Sequence, residues 1–230
     1  MDYAFSYTMV FNADLAALDV SNVQTFEGTF EGARDFNRPL SRWDLRSARS
    51  LFKMFKQTAS FNQDLSTWNV SRVVMFDSMF NGAKAFNQPL AAWRITSSPA
   101  TMRYMFQSTS KFNQPLAAWN MSTVEEITGM FQDAKAFNQD LGGWDLRSLR
   151  PGGGSSTENQ DIFKGACAFN QDLSAWNVPA FLLPNCQDFV QKGWFTFAQL
   201  PYVACQQAYG PGSFTTTNSV DRQTYCAALP

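Results

Sequence analysis

The dipeptide Phe-Asn recurs seven times, beginning at Phe11, Phe36, Phe61, Phe86, Phe112, Phe137 and Phe169, at intervals of 25, 25, 25, 26, 25 and 32 residues. A fixed period in this range means one small unit repeated, each copy unable to bury its apolar side alone and stacked on its neighbours. Other residues keep the same beat. Leu15, Leu40, Leu65, Leu90, Leu116, Leu141 and Leu173 follow the Phe by four positions. Three further on stand Trp43, Trp68, Trp93, Trp119, Trp144 and Trp176, with Leu18 in that place in the first unit. Phe5, Phe30, Phe55, Phe80, Phe106, Phe131 and Phe163 precede the pair by six. The repeat therefore accounts for most of the 22 Phe and all but one of the 7 Trp, and each ring is expected to lie over its counterpart in the next unit.

Within a unit the second half reads as a short helix. Val73, Phe76, Met79 and Phe80, like Val124, Ile127, Met130 and Phe131, have the spacing of one helical face. Ser21, Ser71 and Ser122 stand at the expected start, Ser122 with Glu125 forming a capping box, and Gly32, Gly82 and Gly165 stand at the expected stop. The stretch from Phe-Asn to Trp, interrupted by Pro39, Pro89 and Pro115, reads as an extended segment, one strand of a parallel ladder. The expected fold is an α/β solenoid, a leucine-rich-repeat-like right-handed coil with one short parallel strand and one short helix per repeat of about 25 residues. Residues 1–186 form about seven coils, the first partial, and 187–230 form a C-terminal cap and tail.

Three irregularities mark the array. The fourth unit carries an extra residue near Ser98-Pro99, the sixth carries an insertion from Pro151 to Thr157, and the chain opens inside a unit, which predicts further sequence upstream in the natural protein.

Composition excludes several functions. With 18 Lys+Arg against 19 Asp+Glu, net charge −1 and no basic cluster, the chain is not built to hold nucleic acid. It has no His, the usual acid–base group near neutral pH and a common metal ligand. No apolar run approaches the ~20 residues that span a bilayer, and no targeting segment is visible. No catalytic, cofactor or metal-binding residue is assigned.

The candidate sites are rows. Asn12, Asn37, Asn62, Asn87, Asn113, Asn138 and Asn170 form an amide ladder expected to satisfy backbone groups at a turn, and the Trp row above forms a second structural ladder. Gln63, Gln88, Gln114, Gln139 and Gln171 form a polar stripe that either faces a partner or makes another structural ladder. Asn69-Val70-Ser71 and Asn120-Met121-Ser122 match the glycan-acceptor pattern, although helix capping would also explain the serines. Cys167, Cys186, Cys205 and Cys226, an even number confined to the C-terminal region without a metal-type spacing, are expected to form disulfides closing the array, with free buried thiols the alternative. Trp194, Phe195 and Phe197 lie in an apolar segment that either caps the last coil or docks on a partner.

The run Met79-Phe80-Asn81-Gly82-Ala83-Lys84-Ala85-Phe86-Asn87-Gln88-Pro89-Leu90 followed by Trp93, with its copies from Met105 to Trp119 and Met130 to Trp144, resembles the DUF285 repeat, also called the BspA-type leucine-rich surface-protein repeat. The resemblance spans about residues 5–186. It implies a leucine-rich-repeat-like solenoid of an extracellular or cell-surface protein, acting in adhesion or protein binding, and it brings no catalytic residues. The expected function is thus a non-catalytic interaction module for a protein or glycan, placed in an oxidising compartment. The alternative is a structural linker or spacer subunit of a larger, possibly membrane-associated assembly.

Overall fold

The computed structural model describes residues 1–150, 161–173 and 175–176. Residues 151–160 of the insertion region and the expected cap at 187–230, with Trp194, Phe195 and Phe197, lie outside the described residues.

The repeat places rings over rings. Phe5, Phe30, Phe55, Phe80, Phe106, Phe131 and Phe163 stand in one file with centroids 5.4 to 5.7 Å apart. Phe11, Phe36, Phe61, Phe86, Phe112, Phe137 and Phe169 stand in a second, at 5.8 to 6.1 Å. Inside each repeat the two files touch at 3.9 to 4.5 Å. From Phe30 to Phe137 every one of these rings is fully buried, within a single hydrophobic cluster that runs from Val20 to Trp176. Each such offset pair contributes about 0.5–1.5 kcal/mol beyond its buried area, so the files act as a continuous apolar spine.

The backbone differs from the expected helix. Among the described residues there is no α-helix, and the segment read as helical is a run of linked turns. The N–H groups of Phe26, Gly28, Phe30 and Gly32 donate to the carbonyls of Ser50, Phe52, Met54 and Lys56 in the next repeat, at 2.8 to 3.0 Å. Those of Thr29, Glu31 and Ala33, between them, donate three residues back to Phe26, Gly28 and Phe30. The alternation continues as Leu51, Lys53, Phe55 and Gln57 donate to Met75, Asp77, Met79 and Asn81. An α-helix returns every interior N–H four residues along its own chain, so half of these bonds forbid one.

The positions 0, +3, +6 and +7 still share a side, and Val73, Phe76, Met79 and Phe80 are all buried. The spacing identified the buried side correctly and its secondary structure incorrectly.

The expected strand is also displaced. Between Phe-Asn and Trp there is no strand among the described residues, and Pro39, Pro89 and Pro115 have no N–H to give to a ladder there. The regular pairing lies instead in the half read as helical. There β1 (Ala100–Thr101) pairs in parallel with β2 (Val124–Glu126), and parallel bridges Thr25–Ser50, Ser50–Met75 and Met75–Thr101 continue the row. The extra residue of the fourth repeat falls beside the cis Ser98–Pro99 bond that precedes β1.

Each turn run needs two left-handed residues, at the third position of successive type II turns. They are Tyr3 and Tyr7, then Gly28 and Gly32, then Lys53 and Gln57, then Ser78 and Gly82, then Tyr104 and Ser108, then Gly129 and Asp133, then Asp161 and Gly165. At Gly129 two demands coincide. Its φ is +58°, and a Cβ there would collide with the ring of Tyr104, which lies across it from the preceding repeat. Gly143 has open space around the same added atom. We expect Gly129→Ala to lower stability by at least the roughly 1–2 kcal/mol of a left-handed alanine, and Gly143→Ala to stay within about 0.5 kcal/mol of wild type. Urea midpoints of the two variants check this, and equal midpoints would contradict it.

Candidate functional site

The Asn ladder forms as a chain of side-chain-to-backbone bonds between repeats. The backbone N–H of Asn37 donates to Asn12 Oδ1, Asn62 to Asn37, Asn87 to Asn62, Asn113 to Asn87, Asn138 to Asn113 and Asn170 to Asn138, at 2.8 to 3.1 Å. The amide oxygen thus supplies the acceptor that a strand carbonyl would have supplied, in the repeats that carry Pro39, Pro89 or Pro115 and equally in those that carry Asp64, Asp140 or Asp172. All of these oxygens but that of Asn12 accept a second bond. Gln63, Gln88, Gln114, Gln139 and Gln171 donate Nε2 to the Asn Oδ1 of the preceding repeat at 2.8 to 3.1 Å. A carboxamide oxygen has two lone pairs, and here both are used.

The Gln stripe is therefore anchored on one side and open on the other. Each Gln is half-buried with its nitrogen fixed, while Asp64, Pro89, Pro115 and Asp140 beside it are exposed. In the second repeat Arg38 replaces Gln and donates Nε to the Asn12 backbone carbonyl at 2.8 Å.

The Trp row is structural. Nε1 of Trp43, Trp68, Trp93, Trp119, Trp144 and Trp176 donates to the carbonyl of Leu15, Leu40, Leu65, Leu90, Leu116 and Leu141 respectively, at 2.8 to 3.1 Å. Trp68 stacks on Trp93, Trp93 on Trp119, and Trp144 on Trp176, with centroids 6.2 to 6.5 Å apart. With N–H bonded and rings buried, none of these tryptophans faces a ligand.

The serines expected to cap helices do something else. Asp19, Asn69 and Asn120 accept the backbone N–H of Ser21, Ser71 and Ser122 through Oδ1, at 2.9 to 3.1 Å, so the preceding Asx closes the turn. Ser122 Oγ donates back to Asn120 at 2.7 Å. The capping box is not formed, because Glu125 pairs with Arg150 at 2.7 Å. Asn69 and Asn120 are both exposed.

Charged pairs between repeats escaped the sequence reading. Buried Glu31 meets Lys56 Nζ at 2.9 Å, and buried Asp77 meets Arg103 Nε at 2.9 Å, with Glu126 on the same Arg103 nitrogen at 3.1 Å. The signal was present, since Glu31 and Lys56, like Asp77 and Arg103, are opposite charges one repeat apart. Short pairs within a turn, Asp44 with Arg46 and Asp145 with Arg147, hold those carboxyls below the ordinary range through the arginine side-chain bonds. Burial pushes the Asp133 carboxyl up, against the pull of Lys164 and Lys135. No group of three His, Cys, Asp or Glu that could hold a metal occurs among the described residues. Nor is any helix among them long and apolar enough to cross a membrane.

Cys167 is half-buried and not free, and Cys186, Cys205 and Cys226 lie outside the described residues.

Two expectations follow. Asn113→Leu leaves the Asn138 N–H and Gln139 amide without their acceptor and is expected to lower stability by about 1–3 kcal/mol, read as a urea midpoint. An unchanged midpoint would contradict the ladder. A carboxyl whose folded pKa is raised is disfavoured as the anion, so the stability it adds is complete below its unfolded value and lost as pH rises through the folded one. Asp133→Asn is therefore expected to raise the midpoint at pH 7, and the gain is expected to vanish below about pH 3.9. A pH-independent difference would contradict this assignment.

A family model described as "Mycoplasma protein of unknown function, DUF285" matches residues 1–100, 67–154 and 153–183. No curated protein and no solved structure matches the chain.

Proposed function

Because the chain belongs to the DUF285 family, whose description assigns no function, we propose its role from its own geometry: a non-catalytic repeat scaffold that holds a protein or glycan against the Gln stripe. The observation that carries this reading is the state of Gln63, Gln88, Gln114, Gln139 and Gln171. Their nitrogens are fixed to the Asn ladder at 2.8 to 3.1 Å, and their oxygens accept no bond among the described residues. Five acceptors of one kind, held in a row by a buried spine, are ordered before any partner arrives. Binding to them therefore forgoes the ordering cost of about 0.5–1.5 kcal/mol per side chain that a loose surface would incur.

The ring files and inter-repeat bonds support reading the windings as a solenoid, with the sequence-predicted helix of each winding replaced by its turn run. The burial and bonded Nε1 of the Trp row and the inter-repeat hydrogen bonds of the Asn row support assigning both to structure alone. A disulfide at Cys167, and with it an extracellular or cell-surface location, belongs to the same proposal; the support is four cysteines confined to the C-terminal region and a Cys167 that is not free.

The test is a comparison of the wild-type chain with Gln63→Ser/Gln88→Ser/Gln114→Ser on one glycan and extracellular-protein array. The expected result is at least one class of ligand retained by wild type and weakened about tenfold or more in the variant. Equal signals, or none for either protein at matched folding, would refute the stripe as the binding surface.

A further inference from the structure

Between Asp77 and Glu125 the chain carries no Asp or Glu at all, although it has 19 of them elsewhere. The same stretch holds four cations, Lys84, Arg94, Arg103 and Lys111. Arg103 is used by the fold, bonded through Nε to Asp77 and Glu126 at 2.9 and 3.1 Å. Lys84, Arg94 and Lys111 are exposed, and none has an ion-pair partner among the described residues. A local excess made by leaving acids out does not show in the balance of the whole chain, which is −1.

Two of these cations fall beside the Gln stripe. Lys84 stands four residues before Gln88 and Lys111 three before Gln114, at most about 10–14 Å along the backbone. Between them and the glutamines lie Phe86 and Phe112, fully buried and stacked at 5.9 Å, which hold the two repeats in register. On the far side of Gln88 and Gln114 stand Pro89 and Pro115, where the repeats before and after place the exposed carboxylates Asp64 and Asp140. The position itself accepts an acid: Asp64 and Asp140 close their own turns by accepting the N–H of Ser66 and Gly142 at 2.8 Å. The two repeats with a free lysine ahead of the stripe are thus the two that keep a carboxylate away from it.

We propose that Lys84, Gln88, Lys111 and Gln114 form a subsite for a linear anionic glycan, a hydroxyl-rich chain that bears carboxylate or sulfate groups. The proposal rests on the Gln stripe being a binding surface and adds the charge its ligand must carry. The two rows ask for different chemistry. The lysines attract anions, whereas each Gln Oε1, which accepts no bond among the described residues, calls for a donor. A uronate or sulfated sugar supplies both from one ring. The side chains of an acidic peptide and the backbone of DNA offer the anion with acceptors alone. A single-stranded nucleic acid would also need exposed rings to stack on, and Phe86 and Phe112 are buried.

The experiment titrates the whole chain, at physiological ionic strength, into end-labelled polygalacturonate, dextran sulfate and neutral dextran, read by fluorescence anisotropy. Saturable binding is expected for the carboxylate polymer, the sulfate polymer or both, and not for dextran. Pro89→Asp/Pro115→Asp copies the neighbouring repeats and so keeps the fold, and it is expected to weaken binding about tenfold or more by setting like charges beside the ligand. Pro89→Asn/Pro115→Asn, the same change without the charge, is expected to retain it. Lys84→Gln/Lys111→Gln is expected to match the Asp variant, and Arg94→Gln, six residues past Gln88, to match wild type.

No saturable binding of either anionic polymer, equal affinity of the Asp and Asn variants, or an equal loss from Arg94→Gln would overturn the subsite. So would single-stranded DNA or polyglutamate bound as tightly as the glycans. Dextran bound equally well, and lost in Gln88→Ser/Gln114→Ser, would overturn the anionic ligand and leave the stripe standing. Anion binding that needs the lysines but survives Gln88→Ser/Gln114→Ser would overturn the stripe, and this subsite with it.

Discussion

In each turn run, every second backbone N–H points out of its own repeat, and the carbonyl that satisfies it belongs to the next one. Phe30 finds Met54, Phe55 finds Met79 and Phe80 finds Met105, all at 2.9 Å. A buried amide without a partner costs about 1–3 kcal/mol, so an isolated repeat would be penalised several times over. The rest of the structure follows. Turns replace a helix because a helix would keep those bonds to itself. Left-handed residues recur in pairs because the turns require them. The ring files stack because pairing the backbone in register brings each Phe over its counterpart.

This arrangement divides residues into those used up by the fold and those left facing solvent. From Phe30 and Phe36 onward both Phe files are buried, as is the Trp row, and the Trp nitrogens are bonded to leucine carbonyls of the preceding repeat. The Oδ1 oxygens of Asn37, Asn62, Asn87, Asn113 and Asn138 carry two bonds each. What remains outside comes in rows, because any side chain facing solvent is repeated one winding later. On the proposed reading, recognition by such a surface is recognition of spacing, which suits partners that are themselves extended or repetitive.

The buried face was legible in the sequence, because burial follows spacing and spacing survives whatever the backbone does. Val73, Phe76, Met79 and Phe80 point inward whether the chain is a helix or a run of turns. The element itself was not legible. Ser122 and Glu125 have the letters of a capping box, yet the bond that closes that turn comes from Asn120, and Glu125 reaches Arg150. Glycine marked some of the left-handed positions, but Lys53, Ser78 and Tyr104 hold equivalent ones, where contacts across repeats override a local preference that would have placed only Gly or Asn there. The Asn ladder was legible because an amide invariant along the chain beside a buried ring has few other uses. The Glu31–Lys56 and Asp77–Arg103 pairs were hidden by substitution, since other repeats carry Asn81 or Phe52 at the same places and the alternation of charge is broken.

The central claim is that backbone and rings pair from repeat to repeat in register, and nuclear Overhauser contacts in a selectively labelled chain test it most directly. The account predicts ring-to-ring contacts between Phe55 and Phe80 and between Phe80 and Phe106, with centroids 5.7 and 5.6 Å apart. It also predicts protection from exchange at the N–H groups that leave their repeat. Helical contacts between residues three and four apart in 73–80, with no contact between those rings, would contradict it.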